Sequence, residues 1–434
     1  MTARSYLSKT PLDETDISAA CLNIEAKARS NLFPWNGQFS PQFVEVMFAQ
    51  YAPVGARILD PFCGSGTVLA EASLLGLEAT GVELNPAAYI LARTYSLANV
   101  SHASRVALLT SVEHKLQSVL PEGWPLLMTV DAKSSETNEA ALPSLLKEAS
   151  QQERVILEAF IILADFFKGV SAAKLAKTWF KLRQTVEQLP HSEAPLALNH
   201  ADGRYPEGEH LFNLVFTSPP YINVYNYHQQ YRASAEALGW DLLHVAKTEI
   251  GSNRKNRGNR FLTVTQYCLD LAICLSSLWS ATTPDARIIF VMGRESRVRG
   301  VPFFNGEIAA MLAVEAVGYR LALRQERVFT NRFGQRIFED ILHFQKPRPK
   351  APKRNAIEIA RKIASEALKA GIEHANEPDI REDLLDAINK VQEVIQSVRY
   401  IPKPATSQEK ANAISNAAPR KAPRYSRERQ VTGQ

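Results

Sequence analysis

The chain has 434 residues and a formal net charge of +5, with 45% hydrophobic and 22% charged residues. This composition is typical of a globular protein that buries a real core, and the mild positive charge permits a nucleic-acid partner without demonstrating one. None of the four cysteines has CxxC spacing, so neither a disulfide framework nor a metal site is expected, and a reducing cytoplasm suits the chain. The N-terminal stretch lacks the apolar core of a signal peptide, and the most apolar run, 155–167, is too short and too charged to span a membrane.

The first half of the chain predicts a βαβα unit. A helix over Pro41–Tyr51 follows the N-cap candidate Ser40, and the short apolar strand Ala56–Asp60 comes next. The glycine-rich turn PFCGSGT then leads into a helix that ends at Gly76. A second strand, LEATGVEL, and a second helix, NPAAYILARTYSLANV, complete the unit, which indicates a parallel sheet.

The second half predicts a helical insertion and then a return to strands. Within 111–195, the stretch Glu153–Leu189 has helical periodicity, and its apolar face holds Ile156, Phe160, Leu163, Phe167 and Val170. Strand candidates follow at 195–202, 212–218, 286–293, 321–329 and 339–344, alternating with helices over Phe261–Ser280 and Glu307–Val317. The last two strands lie close together along the chain, which predicts an antiparallel hairpin at the end of a sheet of about seven strands.

Four regions follow from these patterns. Residues 1–55 form an N-terminal lid segment and helix, and 56–110 together with 196–346 form the main α/β domain. Residues 111–195 are the helical insertion. Residues 347–434 begin with a Pro- and Lys-rich linker, continue with helices over Ala356–Ala370 and Glu382–Val398, and end in a basic tail that we expect to be disordered from Pro402.

The turn after the first strand, from Asp60 to Thr67, has the composition of a ligand-binding loop. Glycine lets the backbone approach a ligand without a Cβ clash, and the turn opens a helix N-terminus that favours a polar or anionic group. A second acid, Glu83, ends the next strand at a distance suited to the two hydroxyls of a ribose. Because the turn lacks a third dinucleotide glycine and a P-loop lysine, an adenosine ligand without a long phosphate tail fits best.

A second motif, Thr217-Ser218-Pro219-Pro220-Tyr221, directly follows an apolar strand. The two prolines fix the backbone and remove two N–H donors, which leaves carbonyls, a hydroxyl and an aromatic ring. Such a turn can accept hydrogen bonds from a planar amino group and stack on its ring, so its contribution would be positioning and electrostatics.

LDPFCGSGT, GVELNP and TSPPY together resemble the motifs of class I S-adenosylmethionine-dependent DNA amino-methyltransferases, the N4-cytosine and N6-adenine enzymes. The resemblance covers about 31–110 and 196–346, and implies a Rossmann-like α/β fold with S-adenosylmethionine as the cofactor. It implies these cofactor-binding residues: Phe39, Ser40, Pro41, Asp60, Phe62, Gly64, Gly66, Thr67, Glu83 and, on the adenine amino group, Asp202. It implies these catalytic residues: Ser218, Pro219, Pro220 and Tyr221.

The serine form of the Pro-Pro-Tyr motif is typical of N4-cytosine enzymes, so site-specific methylation of cytosine N4 in DNA is the favoured activity. Three alternatives stay open: N6-adenine methylation of DNA, N2-guanine methylation of RNA, and a non-catalytic cofactor-binding scaffold. The chain has no Pro-Cys pair, which argues against a covalent C5-cytosine mechanism. The expected partners are double-stranded DNA, with its target base flipped out of the helix, and a cognate restriction endonuclease acting on the same site.

Basic and aromatic residues after the second motif are candidates for contact with nucleic acid. The stretch 223–232 is rich in Asn and Tyr and can stack on or bond an extruded base. The loop 251–260 carries four candidate phosphate contacts: Arg254, Lys255, Arg257 and Arg260. A further basic cluster follows a strand end and holds Arg294, Arg297 and Arg299.

Overall fold

The structure is a computed structural model that describes residues 7–120, 124, 142–168, 170–207, 211–222, 229–251, 256, 258–331, 334–347 and 355–402. The described chain up to Ile401 forms one compact unit.

A seven-stranded sheet forms the centre of this unit, in the order β3-β2-β1-β4-β5-β9-β8. Two further strands, β6 (Glu295–Val298) and β7 (Val301–Phe304), lie outside this sheet. The strands of the sheet are β1 (Arg57–Asp60), β2 (Glu78–Glu83), β3 (Leu196–His200), β4 (Phe212–Thr217), β5 (Thr282–Gly293), β8 (Arg320–Thr330) and β9 (Arg336–Gln345). The first five pair in parallel, whereas β9 pairs antiparallel with both β5 and β8. The predicted mostly parallel α/β sheet with a C-terminal antiparallel hairpin is confirmed.

Fourteen α-helices lie among the described residues. They are α1 (Ala19–Asn23), α2 (Pro41–Tyr51), α3 (Thr67–Leu74), α4 (Pro86–Arg93), α5 (His102–Gln117), α6 (Leu142–Glu148), α7 (Gln151–Ala164), α8 (Ala172–Glu187), α9 (Arg232–Ala237), α10 (Leu242–Thr248), α11 (Leu262–Ala281), α12 (Asn305–Met311), α13 (Ala356–Gly371) and α14 (Pro378–Asn389). A 3-10 turn extends α4 over Thr94–Asn99, and a π-helical turn extends α12 over Leu312–Val317.

The sheet is covered on both faces because its strands are apolar on both sides. Along β1 and β4, Leu59 and Val215 enter one core, whereas Ile58 and Leu214 enter another. Successive side chains of a strand point to opposite faces, so continuous apolar runs suit a sheet between two helical layers. Helices α2 and α3 belong to the second core, and α11 and α13 belong to the first.

Helix α11 has the length and composition of a membrane-spanning helix, but 72% of its most apolar window is buried inside the protein. It packs against α13 and the π-helical turn. Its apolar character is therefore explained by its place in the core.

The helical insertion packs with α4 around a core of its own. Helices α5, α7 and α8 contribute to it, and Phe160 and Trp179 pack edge to face with ring centroids 5.7 Å apart. The expectation of continuous helical periodicity over Glu153–Leu189 is wrong at one point: Asp165 adopts a left-handed conformation with φ 51° and ends α7. The apolar periodicity passes through this break because both helices bury their apolar faces in the same core.

Elements not expected from the sequence include α9 and α10, which follow the catalytic motif, and the separate hairpin of β6 and β7. The hairpin turns at Arg299 and Gly300, which both have positive φ. Positive φ at both central residues matches the tight two-residue turn of a hairpin.

The region after the sheet is more ordered than a solvated tail. Helix α13 begins where the periodicity predicts, but α14 ends at Asn389, so the expected helix to Val398 is wrong beyond that residue. Ile395 and Val398 are 64% and 56% exposed, which shows why an apolar pattern alone misplaced the helix end. The basic tail expected to be disordered lies, from residue 403, outside the described residues.

Candidate active site

The carboxyl ends of β1, β2 and β4 meet at one edge of the sheet, and the predicted cofactor and catalytic residues lie there. Asp60 ends β1 and Thr217 ends the neighbouring strand β4. The Thr217 hydroxyl donates to Asp60 Oδ1 over 2.6 Å, and the Phe62 amide donates to the same oxygen over 3.1 Å. One buried carboxyl group therefore joins the two predicted motifs.

The cofactor turn depends on glycine at two positions. Gly64 and Gly66 have φ of 53° and 88°, in the left-handed region that other residues rarely adopt. A Cβ on Gly66 would lie 2.9 Å from the Cβ of Ala92. The turn is thus closely packed against the helix behind it, and it leads directly into Thr67, the first residue of α3.

Glu83 closes the turn from the neighbouring strand. Its carboxylate accepts the amide hydrogens of Gly64 and Asn85, each over 2.7 Å. A carboxylate has about four lone-pair directions, so these two bonds leave acceptor capacity for further donors. Burial raises the pKa of Glu83 to about 7 and that of Asp60 to about 7, because a charged carboxylate is costly to desolvate.

The lid segment, residues 31–41, covers the cofactor turn. The Ser65 hydroxyl donates to Gln38 Oε1 over 2.7 Å, and the Trp35 ring lies 3.4 Å from where a Cβ on Gly64 would stand. Phe39 stacks on Phe216 of β4 with ring centroids 5.0 Å apart. The structure therefore brings the lid, the cofactor turn and β4 together.

Ser40 occupies the N-cap position of α2, but its side chain makes no capping bond. Its Oγ is buried and has no hydrogen-bond partner among the described residues. An unpaired buried hydroxyl costs free energy unless a ligand satisfies it. Ser40 therefore has an unused hydrogen-bonding group in the lid, whereas Pro41 starts α2 and is buried.

Asp202 lies after β3, where the resemblance places an adenine-binding acid, but its carboxylate faces other partners. Oδ1 accepts from the Arg204 amide and Nε, and Oδ2 accepts from Arg204 Nη2 over 2.6 Å and from the Tyr400 amide over 3.0 Å. Four bonds use the acceptor capacity of a carboxylate. The adenine role of Asp202 stays a prediction, and its present contacts are structural.

Arg204 connects Asp202 to the C-terminal strap, which we define as Ser397–Tyr400. Its guanidinium is fully buried, pairs with Asp270 over 2.7 Å, and donates to the carbonyls of Ser397 and Val398. Asp270 in turn accepts from the Ser397 amide and hydroxyl. The strap is thus held by a buried ion network next to the end of β3.

The catalytic turn is compact. The hydroxyls of Ser218 and Tyr221 lie 3.1 Å apart, within hydrogen-bond distance. The Tyr221 ring packs against the end of β5, where a Cβ on Gly293 would lie 2.7 Å from the ring. Pro219 is buried and Pro220 is partly exposed. The position of the tyrosine ring therefore requires glycine at 293.

Asn305 holds the other end of this turn. Its Oδ1 accepts the Ile222 amide hydrogen over 3.2 Å, and its Nδ2 donates to the Gly293 carbonyl and to Ser296 Oγ, each over 2.9 Å. The side chain is fully buried. The sequence alone did not indicate Asn305, because a single Asn near the start of a helix resembles an ordinary cap. The β6–β7 hairpin, which was not predicted, is the feature that would have indicated its contact with Ser296.

The predicted nucleic-acid residues are only partly described. Arg254, Lys255 and Arg257 lie outside the described residues, and Arg260 is partly buried just before α11. Of the aromatic stretch, Asn223, Tyr225, Asn226, Tyr227 and His228 lie outside the described residues, and Arg232 pairs with Glu236.

The second basic cluster is neutralised by ion pairs. Arg294 pairs with Glu326 and Asp340, and Arg299 pairs with Asp379 and Asp383 of α14. Arg297 pairs with Glu295. These arginines therefore connect elements of the fold.

Comparison with known proteins finds similarity for the first part of this site. Residues 12–93 match a family described as DNA methylase. A stretch of 55 residues is 38% identical to the type II methyltransferase M.MjaII of Methanocaldococcus jannaschii and covers 13% of this chain and 10% of that protein. A stretch of 62 residues is 36% identical to the tRNA (guanine(10)-N2)-dimethyltransferase of Methanothermobacter thermautotrophicus and covers 14% of this chain and 18% of that protein.

The chain thus spans less than a fifth of the length of either curated relative. Among solved structures, TrmN from Thermus thermophilus aligns with a TM-score of 0.31 and 13% identity, covering 72% of this chain and 50% of that one. The match over 12–93 contains the lid, the cofactor turn and Glu83, so this part of the chain is similar to a family of DNA methylases.

Proposed function

We propose that the protein transfers a methyl group from S-adenosylmethionine to the exocyclic N4 amino group of cytosine in DNA. The observation that supports this most directly is the bond between Thr217 and Asp60. It places a TSPPY turn, the form typical of N4-cytosine enzymes, beside the cofactor turn at the carboxyl edge of the sheet, where ligands of such sheets bind.

The residues at this edge fit S-adenosylmethionine. Glu83 has free acceptor capacity for ribose hydroxyls. At positions 64 and 66 the turn has no side chain that would keep a ligand away from the backbone. The unpaired Ser40 hydroxyl can form a hydrogen bond with the polar methionine end. When bound, the cofactor supplies an electrophilic methyl group on a sulfonium centre. Its positive charge favours a site with carboxylates, and Asp60 and Glu83 provide them.

The chain's own contribution to the reaction is to hold the amine. Ser218 and the backbone carbonyls of the turn accept hydrogen bonds from the two N–H groups of the target amine, which aims the nitrogen lone pair at the methyl group. Tyr221 offers a ring on which an extruded base can stack. The turn has no cysteine thiol that could attack a base, so the proposed reaction is a direct transfer.

The cysteines support direct transfer as well. Cys63, Cys268 and Cys274 are buried, and burial raises the pKa of the Cys63 thiol above its ordinary value. A thiol must ionise to attack a base. Cys63 also packs toward β2, where its Sγ would lie 2.9 Å from a Cβ on Gly81.

The main competing substrate is the guanine N2 amine of RNA, which the local similarity to a tRNA dimethyltransferase favours. N6-adenine methylation of DNA is the closer chemical variant. Transfer of a tritiated methyl group to duplex DNA and to a tRNA transcript, each followed by nucleoside analysis, separates them. We expect N4-methylcytosine from DNA. N6-methyladenine would correct the target base, and N2-methylguanosine from tRNA alone would overturn the proposal.

A second proposed partner is a restriction endonuclease that acts on the same DNA site. It would be identified by its cleavage of unmethylated DNA of that sequence.

A further inference from the structure

A groove of about 480 Å³ runs between the lid segment and α8 of the helical insertion. Leu32, Phe33 and Pro34 of the lid form one wall. The other is formed by α8 with its N-cap and by Leu163 of α7, and it includes the apolar residues Ala173 and Leu182. It is distinct from the carboxyl edge of the sheet described above, since none of the motif residues from Asp60 to Thr67 or from Thr217 to Tyr221 lines it.

The α8 wall is positively charged. Lys174, Lys177 and Lys181 line the groove, all three are exposed, and none forms an ion pair with a described residue. Their spacing of three and four residues places them on one side of the helix. The residues that line the groove include no Asp or Glu. Three ammonium groups without ion pairs in one groove repel each other, so binding of an anionic partner would lower this electrostatic repulsion energy.

Hydroxyl groups interleave with the lysines. Ser171, Thr178 and Thr185 line the same wall. Hydroxyl and ammonium donors along a groove suit the phosphate oxygens of a nucleic-acid backbone, and the apolar residues of the facing wall can contact its sugars. The volume is too small for a duplex to enter, and it is suited to a single strand's backbone lying along its rim.

The lid borders the groove and also contacts the cofactor turn and the chain after the catalytic turn. Pro34 accepts a hydrogen bond from Gln230 Nε2 over 3.5 Å, and Gln230 follows the catalytic turn in the chain. Four residues further along the lid, Gln38 accepts the Ser65 hydroxyl of the cofactor turn. A strand seated on α8 is therefore bordered by the same segment that covers the cofactor turn.

The insertion that carries this wall is rigidly attached. Helix α7 begins with a capping box between Ser150 and Glu153, and α8 is fixed by the buried guanidinium of Arg105, which donates to the carbonyls of Glu187 and Leu189. Phosphate contacts position a nucleic acid without reading its sequence. Because the lysines are held in fixed places, they can set the position of the nucleic acid along the groove.

We propose that the groove between the lid and α8 binds the phosphate backbone of the DNA substrate and that the helical insertion serves to position the target strand. This inference rests on the proposed function for the identity of the nucleic acid. Lys174, Lys177 and Lys181 are positioning residues in it, with no contact to the reacting atoms.

The test compares two triple variants that remove the same charge. The groove variant is Lys174→Gln/Lys177→Gln/Lys181→Gln, and the control is Lys362→Gln/Lys369→Gln/Lys390→Gln, on exposed residues of and just after α13 and α14. Binding of labelled duplex DNA is measured by anisotropy over a range of salt concentrations. We expect the groove variant to bind about 10- to 100-fold more weakly, with a salt slope smaller by about 2–3, because each lost phosphate contact removes about 0.9 from the slope. The control should stay within about twofold, and Arg at all three groove positions should restore binding.

Calorimetry with S-adenosylmethionine shows in parallel that each variant is folded. If the wild-type protein binds and methylates DNA while the groove variant binds it equally well, the inference is wrong and the proposed function stands. If the wild-type protein neither binds nor methylates DNA, both are wrong. Lysine-dependent binding of a tRNA transcript in that case would assign the groove to RNA and overturn both statements about DNA.

Discussion

Thr217 donates its hydroxyl hydrogen to Asp60 Oδ1 across 2.6 Å, from the last residue of β4 to the last residue of β1. Both side chains are buried, so the bond is made away from competing water. It connects the turn that would hold the cofactor to the turn that would hold the target amine, and the geometry of each depends on the other.

We predict that Thr217→Val lowers turnover more than cofactor affinity. The substitution keeps the side-chain shape and removes the donor, which leaves a buried carboxyl group short of one bond and costs about 1–3 kcal/mol of stability. Urea unfolding measures the stability, and single-turnover methyl transfer measures the chemical step. Thr217→Ser, which keeps the hydroxyl, is the matched control; equal turnover in the Val and Ser variants would show that the bond does not position the turn.

We predict that Gly293→Ala disables the catalytic turn. The new Cβ would stand 2.7 Å from the Tyr221 ring, which is shorter than any stable contact, so the ring has to move. Calorimetry should give an unchanged affinity for S-adenosylmethionine, while tritiated-methyl transfer falls by about 10²-fold, as expected for a misplaced catalytic group. A fully active Gly293→Ala enzyme would contradict the packing of the ring.

The role of Tyr221 as a stacking face can be tested directly. Tyr221→Ala should lose about 1–3 kcal/mol of stacking on the base, and its turnover should fall further because the amine is no longer aimed. Tyr221→Phe keeps the ring and removes the hydroxyl that lies within hydrogen-bond distance of Ser218, so it should retain much more activity. Measured kcat and KM for DNA compare the two variants. Equal loss of activity in Tyr221→Ala and Tyr221→Phe would show that the hydroxyl of Tyr221, and not its ring, is required.

Cys63→Ser should stay active, and a covalent DNA adduct on any cysteine would contradict direct transfer.

Glu83 should affect both cofactor affinity and the pH dependence of stability. Glu83→Gln removes a charged acceptor, and bonds to charged groups contribute about 1.5–3 kcal/mol, so calorimetry should show about 10- to 100-fold weaker binding of S-adenosylmethionine. An unchanged affinity in the folded variant would remove Glu83 from the cofactor site.

The pH effect follows from the raised pKa of Glu83, about 7 in the folded protein against an ordinary value of 4.5. The folded state then binds more protons than the unfolded state between those values, so the free energy of unfolding decreases as pH rises from about 4.5 to about 7. Glu83→Gln should reduce this decrease, and Glu25→Gln, at an exposed residue, should not. Urea unfolding at both ends of the window provides the measurement; identical pH dependence in wild type and Glu83→Gln would contradict it.

We predict that Arg204→Met destabilises the protein by about 3–5 kcal/mol, because it leaves Asp202 and Asp270 buried without their counter-ion. The control is Arg399→Ala, whose ion pair with Glu207 is 49% and 82% exposed, and such exposed pairs contribute at most about 1 kcal/mol. Denaturant unfolding compares the two. Similar small effects would mean that the buried network is not what holds the C-terminal strap.

Much of the fold could be predicted from the sequence because its signals are local. The turn from Asp60 to Thr67 requires glycine for backbone reasons alone, and β1 and β4 are short apolar runs whose burial follows from their composition. The paired motifs therefore indicate the carboxyl edge of the sheet from the sequence alone.

The parts that could not be predicted depend on contacts between distant residues. Asn305 contacts Ile222 across 83 positions, and the Tyr400 amide reaches Asp202 across 198. No local pattern indicates either bond. The apolar periodicity after Asn389 suggested a helix. The chain there is not helical, and Ser397 instead binds Asp270 through its amide.

The C-terminal strap also has a consequence for the order in which the molecule matures on the ribosome. Every strand of the sheet has been synthesised once Gln345 is made, yet Arg204 finds the Ser397 carbonyl 193 positions after itself in the chain. A nascent chain with a complete sheet therefore still carries two carboxylates and a guanidinium that lack their backbone partners. Because domains begin to fold as they emerge, we expect the end of β3 to be the last part of the carboxyl edge to gain all of its contacts, once residue 400 has left the exit tunnel.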